Sequence, residues 1–241
     1  ARVVPLFVWV AIDIVLWGFI TRYLNQVTDS GPNFVLTLLG AVLLWDFFSR
    51  VLHGVTMAFF EDVWSRNFLN FFASPLTIHE YLAGLVISST LTSAISLVVM
   101  IVLAGLLFGL SFFTYGVLLF PFLLVLFLFG ISLGIFGSAL VLRFGPAAEW
   151  FIWPFPAIVS PFVGVFYPLD TLPGWMQVVA RGLPPSYVFE EMRSIVLDGT
   201  GSWRILLFSA LLALGYVFAA CWFFARVYRK AQHTGLIARY S

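Results

Sequence analysis

The sequence predicts an all-α integral membrane fold with six transmembrane helices, and three observations carry that prediction. Hydrophobic residues make up 62% of the 241 and charged residues only 10%, against roughly 45–50% and about 25% in soluble domains. A water-soluble globule has nowhere to bury that much apolar surface. The apolar residues also fall in continuous runs of the length a helix needs to cross a bilayer, about 20 residues. None of the runs alternates with the period of two that a membrane β-strand shows. The same composition excludes disorder. A net charge of +1 gives no bulk attraction to nucleic acid, and the single cysteine, Cys221, excludes an internal disulfide or a cysteine-rich metal site.

The first run is Val3 to Ile20, followed by an Arg22–Pro32 connection. A signal peptide is the competing reading, but Asp13 interrupts the run and no A-x-A cleavage pattern follows, so a retained helix is expected. Phe34 to Phe60 is the second span, Tyr81 to Leu110 the third and Tyr115 to Leu142 the fourth. Trp150 to Phe166 is a shorter, proline-rich fifth, and Trp203 to Phe224 is the sixth. With six spans both termini share a side. That side holds Arg2, Arg50, Arg66, Arg143, Arg226, Arg229, Lys230 and Arg239, and the other holds Arg22, Arg181, Arg193 and Arg204. Positive charge favours the cytoplasm, so both termini and the loop at 61–80 are expected there, with 167–202 outside. No linker, repeat or low-complexity tract divides the chain, and residues 1–241 read as a single membrane domain.

Several catalytic patterns fail. His79-Glu80 begins an H-E-x-x-H zinc motif, but position 83 is Ala83. Gly130-Ile-Ser-Leu-Gly134 fits G-x-S-x-G, yet it lies mid-span, where Gly and Ser are packing residues and no strand–turn–helix elbow can form. No catalytic residue and no metal site is assigned. A P-loop needs a lysine, and the only one, Lys230, follows Tyr228-Arg229. Any ATP used with this chain must therefore be bound by another.

Between spans two and three, Phe60, Trp64, Phe68 and Phe71 or Phe72 recur at helical spacing, with Asp62, Arg66 and Asn70 on the opposite stripe and Pro75 as terminator. A short amphipathic helix at 61–73 follows, and it either lies on the membrane or docks into a soluble partner. Only Arg66 supplies positive charge, which leans toward a partner. Within Thr171–Leu197, Pro173 and Pro185 suit helix starts, Ser186 suits a cap with Glu190 and Glu191 behind it, and Trp175, Val178 and Val179 form one apolar face. Two short helices at the outer leaflet are expected there. In span five, Pro154, Pro156, Ser160 and Pro161 point to either a kinked structural helix or a discontinuous one lining a substrate path.

Asp46, Arg50 and His53 share one face of span two. Asp46 and Arg50 are expected to form an intrahelical ion pair near the cytoplasmic end. A proton relay through Asp13, Asp46, Arg50 and His53 is the alternative, and it would make the chain a proton-coupled secondary transporter. Gly105-x-x-x-Gly109 and Gly130-x-x-x-Gly134 suit close helix contacts within or between subunits, and Ser88, Ser89, Thr90, Thr92 and Ser93 suit interhelical hydrogen bonding rather than a polar path.

Two stretches together resemble the ABC-2 type permeases, the membrane subunits of ATP-driven exporters. The first is Asn70-Phe-Phe-Ala-Ser74-Pro75-Leu76, followed by Glu80 and Gly84. The second is Phe166-Tyr-Pro168-Leu-Asp-Thr-Leu172-Pro173-Gly-Trp175, then Leu183-Pro184-Pro185-Ser-Tyr187 and Glu191-Met-Arg193. Six helices and cytoplasmic termini agree with the family. Its members usually carry an amphipathic helix ahead of span one, and this sequence begins almost at that span.

The resemblance implies a second permease copy, most simply a homodimer, and two separate ABC ATPase subunits that carry ATP and Mg. No cofactor is expected in this chain and no nucleic acid is expected as a partner. It implies that the 61–73 segment is the ATPase-coupling helix, with Asp62, Trp64, Arg66, Phe68, Asn70, Phe71 and Phe72. It further implies a bacterial inner membrane setting and export of a drug, lipid or lipid-linked saccharide. The 19% aromatic content favours an amphipathic or lipid-like cargo.

Overall fold

The computed structural model of the chain describes residues 3–27, 34–64 and 77–234. Among these residues all regular structure is helical, without a strand. The long elements are α1 (Val3–Val27), α2 (Gly40–Trp64), α3 (Ile78–Phe108), α4 (Leu119–Phe144) and, last in the chain, α9 (Trp203–Thr234). Between α4 and α9 come α5 (Glu149–Ile152), α6 (Phe155–Val163), α7 (Gly174–Arg181) and α8 (Pro184–Asp198). A π-helical turn at Val35–Leu39 leads into α2, and a 3-10 segment at Phe112–Leu118 leads into α4.

Among the described residues four stretches are long and apolar enough to cross a membrane: Val35–Trp64, Glu80–Phe108, Phe112–Phe144 and Trp203–Ala231. Trp150–Val163 is apolar but shorter. This makes the chain an integral membrane protein. Large apolar residues face outward in helical stripes, as on α3 at Ile87, Leu91, Ile95, Val98 and Val102. That inversion is what a hydrocarbon solvent allows.

Helix α4 lies at the centre, packed on α2 and α9, while α3 packs on α2 and on α1. Two glycines set the α2–α4 contact. A Cβ on Gly134 would lie 2.7 Å from Val55 Cβ and 2.9 Å from the Leu52 carbonyl, and one on Gly130 would lie 3.0 Å from Val51 Cβ. Only a hydrogen in place of the side chain admits so close an approach. Ser132 Oγ donates to the Phe129 carbonyl (2.7 Å) within α4, so the G-x-S-x-G residues pack helices, as their mid-span position predicts. Ser89 Oγ donates across to the Val51 carbonyl of α2 (2.9 Å), which is the expected interhelical bonding, while Ser88 and Thr92 face outward.

Other expectations change. Gly109 makes no close helix contact within the chain: it ends α3 in the left-handed region (φ 68°) and caps the Ala104 and Gly105 carbonyls. Helix α2 runs to Trp64 rather than stopping at Phe60. From the start of the π-turn at Val35, Arg50 therefore lies near the midpoint, roughly 21 Å of helical rise from Trp64. The Asp46–Arg50 pair sits near the middle of the described helical stretch Val35–Trp64. Removing Arg50 from the loop-charge count leaves the asymmetry intact.

Candidate functional site

Three groups of residues position the functional surface. The first is the cluster near the middle of the Val35–Trp64 stretch. Arg50 Nε donates to Asp46 Oδ2 at 2.7 Å, one helical turn apart on α2, with the two side chains 14% and 19% exposed. Asp13 of α1 is close enough to interact electrostatically with both. His53 follows one turn later. Its ring lies 4.7 Å from the Trp153 indole, and its Nε2 is buried without a hydrogen-bond partner. One guanidinium thus stands among two carboxylates and an imidazole, with an indole closing the row.

The second group is the interrupted fifth segment. Its helix is discontinuous: α5 ends at Ile152 and α6 starts after Pro154. Pro161 sits inside α6 and cannot donate to the Ala157 carbonyl. Ser160 Oγ takes that carbonyl instead, at 3.1 Å. The Pro161 carbonyl accepts from the Tyr167 hydroxyl at 2.8 Å. Gly164 in the left-handed region (φ 71°) ends α6. The four path candidates do not share one open face: Pro156 is buried, Ser160 and Pro161 are half-buried and Pro154 is exposed. Trp17 of α1 stacks on Phe166 at 5.4 Å, which ties α1 to the far end of this segment.

The third group is the 167–202 segment, which forms two short helices as expected, by different means. Pro173 precedes α7, but α8 begins at Pro184 after Leu183. Ser186 is not its cap. It is buried, and its one O–H is shared between the Ala180 (2.6 Å) and Leu183 (2.7 Å) carbonyls, which joins α8 to the end of α7. Glu190 and Glu191 act as latches at the two ends of the segment. Glu190 Oε1 accepts from the Leu169 backbone N–H (3.0 Å) and from Arg193 (2.6 Å). Glu191 Oε2 accepts from the Ser202 N–H (2.6 Å), where α9 begins and a helix N-terminus favours negative charge. Burial pulls the Arg193 guanidinium below its usual range, opposed by Glu190 and Asp170. Trp175, Val178 and Val179 remain exposed on α7, the apolar face predicted for the outer leaflet. A cavity of about 160 Å³ lies between this segment and the start of α2, lined by Phe34, Leu38, Val165, Phe166 and Arg193 among others.

At the opposite face, Asp62 and Trp64 lie on the last turn of α2 rather than on a helix of their own. The Tyr81 hydroxyl of α3 donates to Asp62 Oδ2 (2.9 Å), so Asp62 braces α2 against α3. Trp64 stacks on Phe60 (ring centroids 5.4 Å) and is 55% exposed. Arg66, Phe68, Asn70, Phe71 and Phe72 lie outside the described residues. Glu80 has a structural role: Thr77 and Glu80 form a reciprocal capping box, with the Thr77 N–H donating to Glu80 Oε2 at 2.7 Å. Among the described residues no group of acidic, histidine or cysteine side chains could hold a metal ion.

A family model described as ABC-2 type transporter matches residues 1–197 of the chain. No curated protein matches it.

Proposed function

This chain belongs to the ABC-2 type transporter family, and from that premise we propose that it is the membrane-spanning half of an ATP-driven exporter of an amphipathic or lipid-like substrate. A permease of this family works with an ABC ATPase subunit. The observation that carries the reading is the pairing of that family match with a chain whose only lysine lies in no phosphate loop. In this reading the energy arrives by mechanical contact with an ABC ATPase.

In this reading α1 and the broken α5–α6 segment complete six spans, with both termini in the cytoplasm of a bacterial cell. Two permease copies and two ATPases assemble, and residues 1–241 act as one membrane domain. The end of α2 at Trp64 and the residues after it, including Arg66, Phe68, Asn70, Phe71 and Phe72, receive the ATPase stroke. Asp62 transmits it to α3 through Tyr81. Substrate moves along the wall formed by α1, α2 and α6 and leaves beside the latched 167–202 segment.

Reconstitution with the cognate ATPase tests this. Transport that requires ATP hydrolysis and survives collapse of the proton gradient supports it. Transport that persists without ATP and stops when the gradient collapses selects the proton-coupled alternative, which would run through Asp13, Asp46, Arg50 and His53.

A further inference from the structure

Helix α9 carries marks of its depth in the bilayer. Leu207, Leu211, Leu214, Phe218 and Trp222 are exposed in one stripe along it, the outward face that hydrocarbon allows. An exposed tryptophan stands at each end of the apolar part, Trp203 and Trp222. The step from residue 203 to residue 222 is roughly 29 Å of helical rise, close to the hydrocarbon thickness of about 30 Å. Tryptophan settles at the two membrane–water boundaries. Past Trp222 the stripe turns cationic. Arg226 and Arg229 continue it and are exposed. They lie roughly 6 and 10 Å of rise beyond the tryptophan, within side-chain reach of the headgroup layer. The Arg226 guanidinium lies 4.5 Å from the Trp222 ring centre, which holds it on the outward side.

Helix α4 brings a third guanidinium to the same level. Phe129 meets Tyr216 at 5.2 Å and Phe136 meets Phe223 at 5.3 Å between ring centroids, an equal step along both helices. Helices α4 and α9 therefore run parallel, and the next equal step sets Arg143 level with Lys230, on the side of α9 toward which Arg226 leans. Arg143 is exposed, its guanidinium 5.2 Å from the ring centre of Phe144. Neither α4 nor α9 contains an acidic residue. The Phe59–Phe224 contact brings Glu61 and Asp62 of α2 to this level, but on the side of α9 away from the stripe, and Asp62 is held by Tyr81. Among the described residues Arg143, Arg226 and Arg229 make no ion pair.

We propose that Arg226 and Arg229, flanked by Arg143, bind the phosphate of an anionic phospholipid whose acyl chains lie along Trp222, Phe218 and Leu211. A guanidinium pairs with phosphate oxygens through parallel N–H donors, and cations at headgroup level select anionic lipids over zwitterionic ones. The stripe decides for a lipid over an acidic protein surface, because both arginines of α9 project from the same face as its exposed apolar residues. The inference rests on the proposed orientation of the exporter for one point, that this end of α9 meets the cytoplasmic leaflet.

The test is native mass spectrometry of the full chain in detergent, titrated with phosphatidylglycerol or with phosphatidylcholine of the same acyl chains. Phosphatidylglycerol should bind about tenfold or more tightly, since each cation at headgroup level contributes about fivefold. The Arg226→Gln/Arg229→Gln double variant should lose this preference and bind phosphatidylcholine as before. The corresponding double change to Lys keeps the charge, should retain most of the preference and guards against a folding defect. Arg204→Gln, one cation removed at the opposite end of the same helix, should leave the preference intact. Equal binding of the two lipids by the unaltered chain overturns the proposal. So does a preference that survives in the Gln double variant, or one that Arg204→Gln removes as well, which would make bulk charge the cause. Displacement of phosphatidylglycerol by equimolar glycerol phosphate would assign the arginines to a soluble phosphate instead. The measurement uses neither ATPase nor nucleotide, so its failure leaves the exporter reading standing, and failure of ATP-driven transport leaves the lipid site standing.

Discussion

Replacing Arg50 by Ala should destabilise the protein more than replacing Asp46 by Ala. The asymmetry follows from the cluster: among the described residues Arg50 is the one cation near two carboxylates, whereas Asp46 is one of two anions near Arg50. Arg50→Ala leaves Asp46 and Asp13 uncompensated among the described residues. Stripping a buried charge of its partner costs about 3–5 kcal/mol. Asp46→Ala removes one 2.7 Å charged hydrogen bond and leaves Arg50 the attraction of Asp13. A loss of about 1.5–3 kcal/mol is expected there. The Asp46→Ala/Arg50→Ala double variant still leaves Asp13 alone, so adding Asp13→Asn should recover part of the loss. The assay is unfolding in detergent followed by intrinsic fluorescence, where each kcal/mol moves the midpoint by about 2–4 °C for a chain of this size. The double-mutant cycle should show a coupling energy of at least about 1 kcal/mol between Asp46 and Arg50. Additive single losses, or a larger loss from Asp46→Ala than from Arg50→Ala, would refute the reasoning.

Gly134→Ala should cost about 1–3 kcal/mol by overpacking the α2–α4 contact, while Gly84→Ala, whose Cβ would meet nothing within 4 Å, should be neutral or slightly stabilising; equal midpoints for the two would remove the close-approach argument. Ser186→Ala should lower the midpoint through loss of the hydrogen bond that its one O–H shares between the two carbonyls, about 0.5–1.5 kcal/mol, and Ser186→Thr should behave differently only through its extra methyl. Glu191→Ala should leave the Ser202 N–H without its carboxylate and speed hydrogen exchange in the first turn of α9, with α4 unchanged; unaltered exchange there would mean that the latch does not hold.

Much of this architecture was legible because membrane helices announce themselves by length and composition. The runs at Phe34, Tyr81, Tyr115 and Trp203 all become long helices. What misled was the end of α2. Glu61 and Asp62 look like the start of a separate amphipathic helix, yet α2 runs on through them, with Asp62 bonded by Tyr81, a partner 19 residues away that no local pattern reveals. The ion pair itself was legible from i, i+4 spacing. Asp13 as a third member was not, since it comes from another helix. Pro185 and Ser186 suggested a helix start and its cap, but Pro184 claims the first position and frees Ser186 to bond two carbonyls of the preceding turn. The Thr77-x-x-Glu80 spacing ahead of an apolar run is a capping-box signature, and it gives Glu80 a role that the broken zinc motif obscured. The orphaned His53 Nε2 required the packed structure, because Trp153 reaches it from 100 residues away in the chain.

In the proposed mechanism ATPase energy enters this chain at the end of α2 and the residues that follow. The most direct measurement is the affinity of the cognate ABC ATPase for the full chain in nanodiscs, with Trp64 and Phe68 both replaced by Ala. Trp64 is 55% exposed at that end, and buried aromatics dominate interfaces of this kind. The account predicts a loss of about 2 kcal/mol or more, roughly 30-fold in Kd, with insertion and the melting midpoint unchanged and transport abolished. An unaltered Kd together with normal ATP-driven transport would contradict it.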